Sequence, residues 1–332
     1  MPMKPNKKKG IWILILLLTA TILALSFYPS GDYKPVTYIE RDTGLLKVEK
    51  VEGERWLLWL YDNPVGRATL WSLAKRKVVS SLYRYWMDCT CSAQKIEPFI
   101  KDHNIDMDLF EDREFTTFND FFTRKFKENA RIIDTASNIL VSPADGKILA
   151  YPNIIKADFM VKGYNFDVFT FLNDSSLARK YTNGTLIVIR LSPADYHRFH
   201  FPLSGTVSDS RKVKGAYYSV SPYALRKKAE ILCLNKREYS LINNPVFGEM
   251  VMAEVGATMV GSIIQTYEGK MVQKGEEKGY FQFGGSTIVL LLEKNSVFMD
   301  EDILLNSALG YETTVEMGSG IGVAARDMSF NK

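Results

Sequence analysis

Cysteine and histidine are scarce in this sequence. The chain of 332 residues holds three cysteines, Cys89, Cys91 and Cys233, and three histidines, His103, His197 and His200. An odd, small cysteine count excludes a disulfide framework. The Cys89-Thr90-Cys91 spacing, with no second pair, excludes a zinc knuckle. An excess of one charge is lacking too. The 42 Lys and Arg against 38 Asp and Glu leave a net charge of +4, which gives no reason to expect nucleic acid as a partner. No internal repeat and no low-complexity segment is present. Long apolar runs are confined to one place. Ile11 to Tyr28 is uncharged, follows a lysine cluster at Lys4 to Lys9, and has Trp12, Phe27 and Tyr28 at its ends. As a helix it would rise about 27 Å, just enough to cross hydrocarbon. A retained membrane anchor over 1–28 is therefore expected. The positive-inside rule puts Met1 on the cytoplasmic face. A signal peptide cleaved near Ala24-Leu25-Ser26 is the alternative.

The remainder divides by texture. Residues 29–54 read as a polar connector. Asn63-Pro64 reads as an N-cap with proline in the first turn. Val65 to Met87 then has helical spacing at Leu70, Leu73, Ala74, Val78, Leu82 and Trp86, with Arg67, Lys75, Arg76, Lys77 and Arg84 among Trp59, Trp71, Tyr83 and Tyr85. Such a basic, aromatic helix suits an anionic membrane surface, and equally a packed helix with solvated charges. Ile96 to Ile105 and Phe115 to Phe126 are shorter helix candidates. From residue 136 onward, short apolar runs such as Ile139 to Val141, Leu186 to Ile189, Val246 to Val255 and Ile288 to Leu292 alternate with turns at Asp145-Gly146, Asn183-Gly184 and Ser204-Gly205. The expected fold is α+β. An N-terminal membrane helix (1–28) and a connector (29–54) precede a helical membrane-proximal region (55–135) and a β-rich domain (136–332).

Three stretches of that domain carry candidate chemistry. Ser142-Pro143-Ala144-Asp145-Gly146-Lys147 places an acid in a turn after a strand, where a plain turn aspartate is the default. Asp195-Tyr196-His197-Arg198-Phe199-His200 places two histidines among aromatic residues, poised near neutral pH or suited to a metal. Gly284-Gly285-Ser286-Thr287 enters a buried-looking strand through glycines that leave the carbonyl before Ser286 unshielded. A serine beside an accessible carbonyl is a nucleophile if a base is near, and a tight turn otherwise. Serine, histidine and aspartate together could form a charge relay, which is defined by geometry rather than chain order. A metal-dependent hydrolase using Asp145, His197 and His200, or a membrane-anchored scaffold without chemistry, are the rival readings.

These stretches, with Asp120 to Arg124, Gly215 to Val220, Val255 to Thr258, Gly261 to Ile263 and Lys274 to Phe283, make the chain resemble the phosphatidylserine decarboxylase family from about Glu54 to Gly322. The resemblance implies a self-processing enzyme. Gly284-Gly285-Ser286-Thr287 is similar to the family's cleavage tetrapeptide, in a variant of its Leu-Gly-Ser-Thr form. Ser286 would attack the Gly285 carbonyl, with Asp145 and His200 completing the charge relay and Thr287 a contributor to oxyanion stabilisation. Ester formation and β-elimination would split the chain into a β chain, 1–285, and an α chain, 286–332. They would leave a covalent pyruvoyl group, derived from Ser286, as the cofactor. A Schiff base between it and phosphatidylserine would then lose carbon dioxide and yield phosphatidylethanolamine, with His197 as the proton donor for decarboxylation. The resemblance further implies no metal, a membrane location, and as partners phosphatidylserine in the bilayer and the two cleaved chains held together. A homo-oligomer is left open.

Overall fold

The run Ile288 to Leu292 is apolar at every position, which suits a strand buried on both faces rather than on one. In the computed structural model that strand is β14 (Ser286–Leu292), inside an eleven-stranded sheet. The structure describes residues 7–28, 35–51, 53–74, 77–156, 166–257, 262–284 and 286–325. Gly285, the upstream half of the expected cleavage site, lies outside the described residues. So do residues 1–6 of the expected anchor, residues 29–34 of the connector, Lys75, Arg76, Thr258 and Gly261.

The sheet runs β12 (Met271–Val272), β7 (Gly205–Val207), β9 (Arg237–Asn244), β10 (Gly248–Val255), β14, β5 (Thr185–Leu191), β4 (Gly146–Tyr151), β16 (Glu312–Val315), β1 (Val36–Ile39) and β2 (Leu46–Glu49), with β8 (Arg211–Val213) also paired to β9. Only β1 and β16 pair in parallel among these described strands. Two small sheets lie apart from it. One is β11 (Ile263–Gln265), β13 (Glu277–Phe281) and β6 (Arg198–His200). The other is β15 (Val297–Met299), β17 (Gly320–Ala324) and β3 (Ile139–Val141).

Alternation along the central strands separates two cores. Leu186, Val188, Val251, Val289 and Leu291 share one cluster with side chains from the short helices α7 (Val168–Leu172), α8 (Ser175–Tyr181), α9 (Pro222–Lys227) and α10 (Ile231–Leu234). Ile187, Ile189, Met250, Ile288 and Leu290 belong to the second cluster, with the small sheets and α11 (Glu301–Ala308). Full burial of each such side chain stabilises the fold by about 1.5–3 kcal/mol.

The helical region precedes these layers. α1 (Lys7–Ser26) is followed by α2 (Glu54–Asp62), α3 (Pro64–Thr69), α4 (Lys77–Met87), α5 (Ile96–His103) and α6 (Phe118–Phe122). Asn63 is the expected N-cap. Its Oδ1 accepts from the Val65 and Gly66 N–H groups, while its Nδ2 donates to the carbonyls of Leu25, in the last turn of α1, and Tyr28, just past it. One buried amide thus closes the start of α3 and the end of α1 together.

Two expectations change, and the expected anchor gains no support. Val65 to Met87 is not one helix, because a π-helical turn over Leu70–Ala74 separates α3 from α4. The connector holds the β1–β2 hairpin, which extends the main sheet. Among the described residues no helix is long and apolar enough to cross a membrane.

Candidate active site

Ser286 is the first residue of β14 and pairs with Leu191 of β5. It is fully buried, and its Oγ has no hydrogen-bond partner among the described residues. Gly284, two residues earlier, has φ 139°, a region that a side chain would strain. Thr287 Oγ1, Gln282 Oε1 and His197 Nε2 are likewise buried and unpartnered. Unsatisfied buried polar atoms cost about 1–3 kcal/mol each, so four around one turn mark a place built for chemistry rather than for stability.

His197 comes next to this turn through the small sheet. Its carbonyl accepts from the Phe281 N–H at 2.9 Å. The Phe122 ring covers its imidazole at 3.8 Å and meets Phe283 at 4.8 Å. Nδ1 lies 2.8 Å from the Asp195 carbonyl, which can only accept, so the proton sits on Nδ1 and Nε2 presents a lone pair. Burial pushes the imidazole down to about 3. The nearby Arg124 guanidinium acts the same way, against the Asp195 hydrogen bond. His197 is therefore neutral at pH 7.

His200 stands on β6 opposite Glu277. Its Nδ1 donates to the Gly275 carbonyl at 2.9 Å, and its Nε2 meets the Tyr196 hydroxyl at 3.4 Å. Burial lowers its pKa as well. Asp145 lies close by, since the His200 N–H donates to the Pro143 carbonyl at 2.8 Å. The Asp145 carboxylate is held by Arg131 Nη2 at 2.7 Å and by the Met317 N–H at 2.8 Å. Asp145 and His200 thus share one neighbourhood, and Ser286 and His197 flank the turn before β14. Among the described residues no hydrogen bond joins Asp145 to His200 or His200 to Ser286.

A cavity of about 580 Å³ opens beside the turn, reaching Phe283, Gly284, Arg190 and Leu191. Trp56, Tyr61, Tyr83 and Phe99 give it a mainly apolar wall. That volume and lining suit an amphiphilic ligand. No cluster of three His, Cys, Asp or Glu is placed to hold a metal ion among the described residues.

The sequence model for phosphatidylserine decarboxylase matches residues 118–323. A phosphatidylserine decarboxylase proenzyme of Fusobacterium nucleatum is 48% identical over 88% of this chain and 98% of its own length. Its counterpart from Clostridium botulinum strain Hall is 49% identical over 87% of this chain and 99% of its own. That of Desulfitobacterium hafniense Y51 is 44% identical over 87% and 98%. The chain belongs to the phosphatidylserine decarboxylase family. The family match spans α6 to β17 and contains Asp145, His197, His200 and Ser286. The β1–β2 hairpin and α1 to α5 precede it.

Sequence reasoning missed several residues of this decarboxylase site. Arg131 fixes Asp145, and Tyr196 faces His200. Arg124 is buried with its guanidinium over Phe110 and Phe121 at 4.4 and 4.8 Å, and its Nη2 donates to the Ala194 carbonyl at 2.8 Å. Burial brings Arg124 down to about 10. The arginine in Asp120 to Arg124 was the one available signal, as a cation set among phenylalanines.

Proposed function

We propose that this chain cleaves itself between Gly285 and Ser286 and then decarboxylates phosphatidylserine to phosphatidylethanolamine. The observation that carries the reading is the buried, unpartnered Ser286 Oγ beside Gly284 at positive φ. Ser286 attacks the Gly285 carbonyl, and its proton passes to His200. The amide becomes an ester and frees the residue 286 nitrogen. Loss of the 286 α-proton expels the upstream chain as a carboxylate. The dehydroalanine left at 286 takes up water and releases ammonia, leaving a pyruvoyl group. The products are chains 1–285 and 286–332.

His200 serves as base because its Nε2 carries a lone pair. The 3.4 Å contact to Tyr196 is long, so exchanging it for Ser286 Oγ costs little. Asp145, held by Arg131, supplies the negative charge that stabilises the imidazolium. Thr287, whose hydroxyl is free, contributes to oxyanion stabilisation. A pyruvoyl carbonyl supplies an electron sink for loss of carbon dioxide from an amine joined to it. The residues around 286 fit such a group, because buried polar atoms without partners surround that position. His197, whose Nε2 has no partner among the described residues, is the side chain that delivers a proton to the carbon that loses carbon dioxide. The apolar cavity takes the glycerol and upper acyl region. Residues 1–28 serve as a membrane anchor, and the exposed aromatics of α2 and α4 rest on the lipid surface.

His197 is the rival base for self-cleavage, because its Nε2 has no partner to give up. Denaturing electrophoresis of the purified protein decides. Two chains are expected, with a pyruvoyl mass at the start of the small one. Ser286→Ala should give one inactive chain, and His200→Gln should cleave at least tenfold more slowly, within the range for a lost general base. An intact, active chain with serine at 286 overturns the reading. Normal cleavage in His200→Gln moves the base role to His197.

A further inference from the structure

The turn that holds the scissile bond is gripped from one side by α4. Asn119 Oδ1 accepts from the Phe283 N–H at 2.9 Å. The Nδ2 of the same amide donates to Asp88 Oδ1, just past α4, at 2.8 Å. One residue earlier, the Gln282 N–H donates to the Ser262 carbonyl at 3.2 Å. Arg84 Nη1 of α4 in turn donates to Ser262 Oγ at 3.0 Å. Tyr83 of α4 packs on the Phe283 ring at 5.7 Å. Two successive amides before Gly284 are therefore fixed by α4 through one intervening residue each. Asn119 is buried and uses both ends of its amide, so its orientation is determined.

We propose that Asn119, oriented by Asp88, is a positioning residue for self-cleavage, holding the Phe283 amide so that the carbonyl beyond Gly284 meets Ser286. This rests on the self-cleavage reading above. Attack on an amide needs the reacting atoms within about 3–3.5 Å, and a displacement of 1 Å costs about 100-fold. The backbone of Gly284 is free to rotate, so the amides ahead of it must supply the constraint. Asn119 touches no reacting atom.

The test is a pulse-chase of the full-length chain, with the two products resolved by denaturing electrophoresis over time. Wild type should convert to two chains. Asn119→Ala and Asn119→Asp should convert roughly 10- to 100-fold more slowly, the latter because two carboxylates then face each other. The double variant D88N/N119D keeps the carboxylate as acceptor for the Phe283 N–H and restores the bond between residues 88 and 119 with donor and acceptor exchanged, and should recover to within about threefold of wild type, the loss expected for imperfect bond geometry. Thermal melting of each variant on the Ser286→Ala background confirms that the chain is folded. A merely structural Asn119 would not be rescued by that exchange. Wild-type speed in Asn119→Ala overturns the proposal, as does a folded double variant as slow as Asn119→Asp. A wild-type chain that stays whole instead removes the self-cleavage reading beneath it.

Discussion

His197 carries an imidazole with one ring nitrogen bonded to a carbonyl and the other without a hydrogen-bond partner among the described residues. Its cost appears when pH falls. Folded, it titrates near 3, and unfolded near 6.5, so the unfolded chain binds the extra proton between those values. Its contribution is complete above about pH 6.5 and is lost as pH drops toward 3. His200 is shifted in the same direction by burial and adds to the loss. Glu49 has the carboxylate sign. Burial opposes its charge, but Arg190 and Lys147 hold it down at about 2, so its contribution fades only below about pH 4.5. Between pH 7 and 5 the histidines therefore dominate, at about 2 kcal/mol for His197. Urea unfolding of the Ser286→Ala chain at the two pH values should show that drop, and His197→Gln should remove most of it. An equal drop in both proteins would mean that His197 is not buried in its neutral form.

Among the elements, those read best from sequence are those whose signal is local. β14, β5 and β3 follow from runs of apolar residues bounded by turns, and Asn63-Pro64 marks the start of α3. The β1–β2 hairpin was missed because its parallel partner β16 lies far along the chain, and four polar-flanked residues announce nothing by themselves. Glu49 at its end reaches the buried Arg190 at 2.6 Å, a pairing that no spacing rule reports. The Asn119–Phe283 bond escapes for the same reason. The proposed site residues Asp145, His197, His200 and Ser286 stand out in the sequence as motif residues, whereas the side chains that contact them in the structure, Arg131 and Tyr196 among them, do not. The break between α3 and α4 also hides in a smooth periodicity, because a π-helical turn inserts a residue without changing composition. That break matters for α4, whose Leu82 and Tyr85 are exposed while Tyr83 and Arg84 face the turn before β14. A chain lacking residues 1–28 should still bind anionic vesicles through this outer surface. Changing Leu82 and Tyr85 together to glutamate should weaken sedimentation with vesicles more than tenfold, since each side chain contributes about 1.5 kcal/mol when covered. Total loss of binding on deletion of 1–28 alone would assign the membrane contact to the anchor.

For the whole molecule, cleavage at the proposed bond before Ser286 would have a mechanical consequence. A chain beginning at 286 contains β14, β15, α11, β16 and β17. β14 is no edge strand, because it lies between β10 and β5 and is paired with both along its length. Ile288, Val289, Leu290, Leu291 and Leu292 are each wholly buried, one set in each core. At roughly 2 kcal/mol apiece they hold the small chain by about 10 kcal/mol before any ladder bond is counted, which corresponds to a sub-micromolar complex. β16 adds a second attachment, between β4 and β1. The proposed cut after residue 285 would therefore free one backbone connection without releasing either product. The mature protein should elute from gel filtration in ordinary buffer as one species holding both chains in equal amount, and the chains should part only in denaturant. Loss of the small chain at micromolar concentration in ordinary buffer would contradict this, and would mean that residue 286 does not stand at the head of a strand held on both sides.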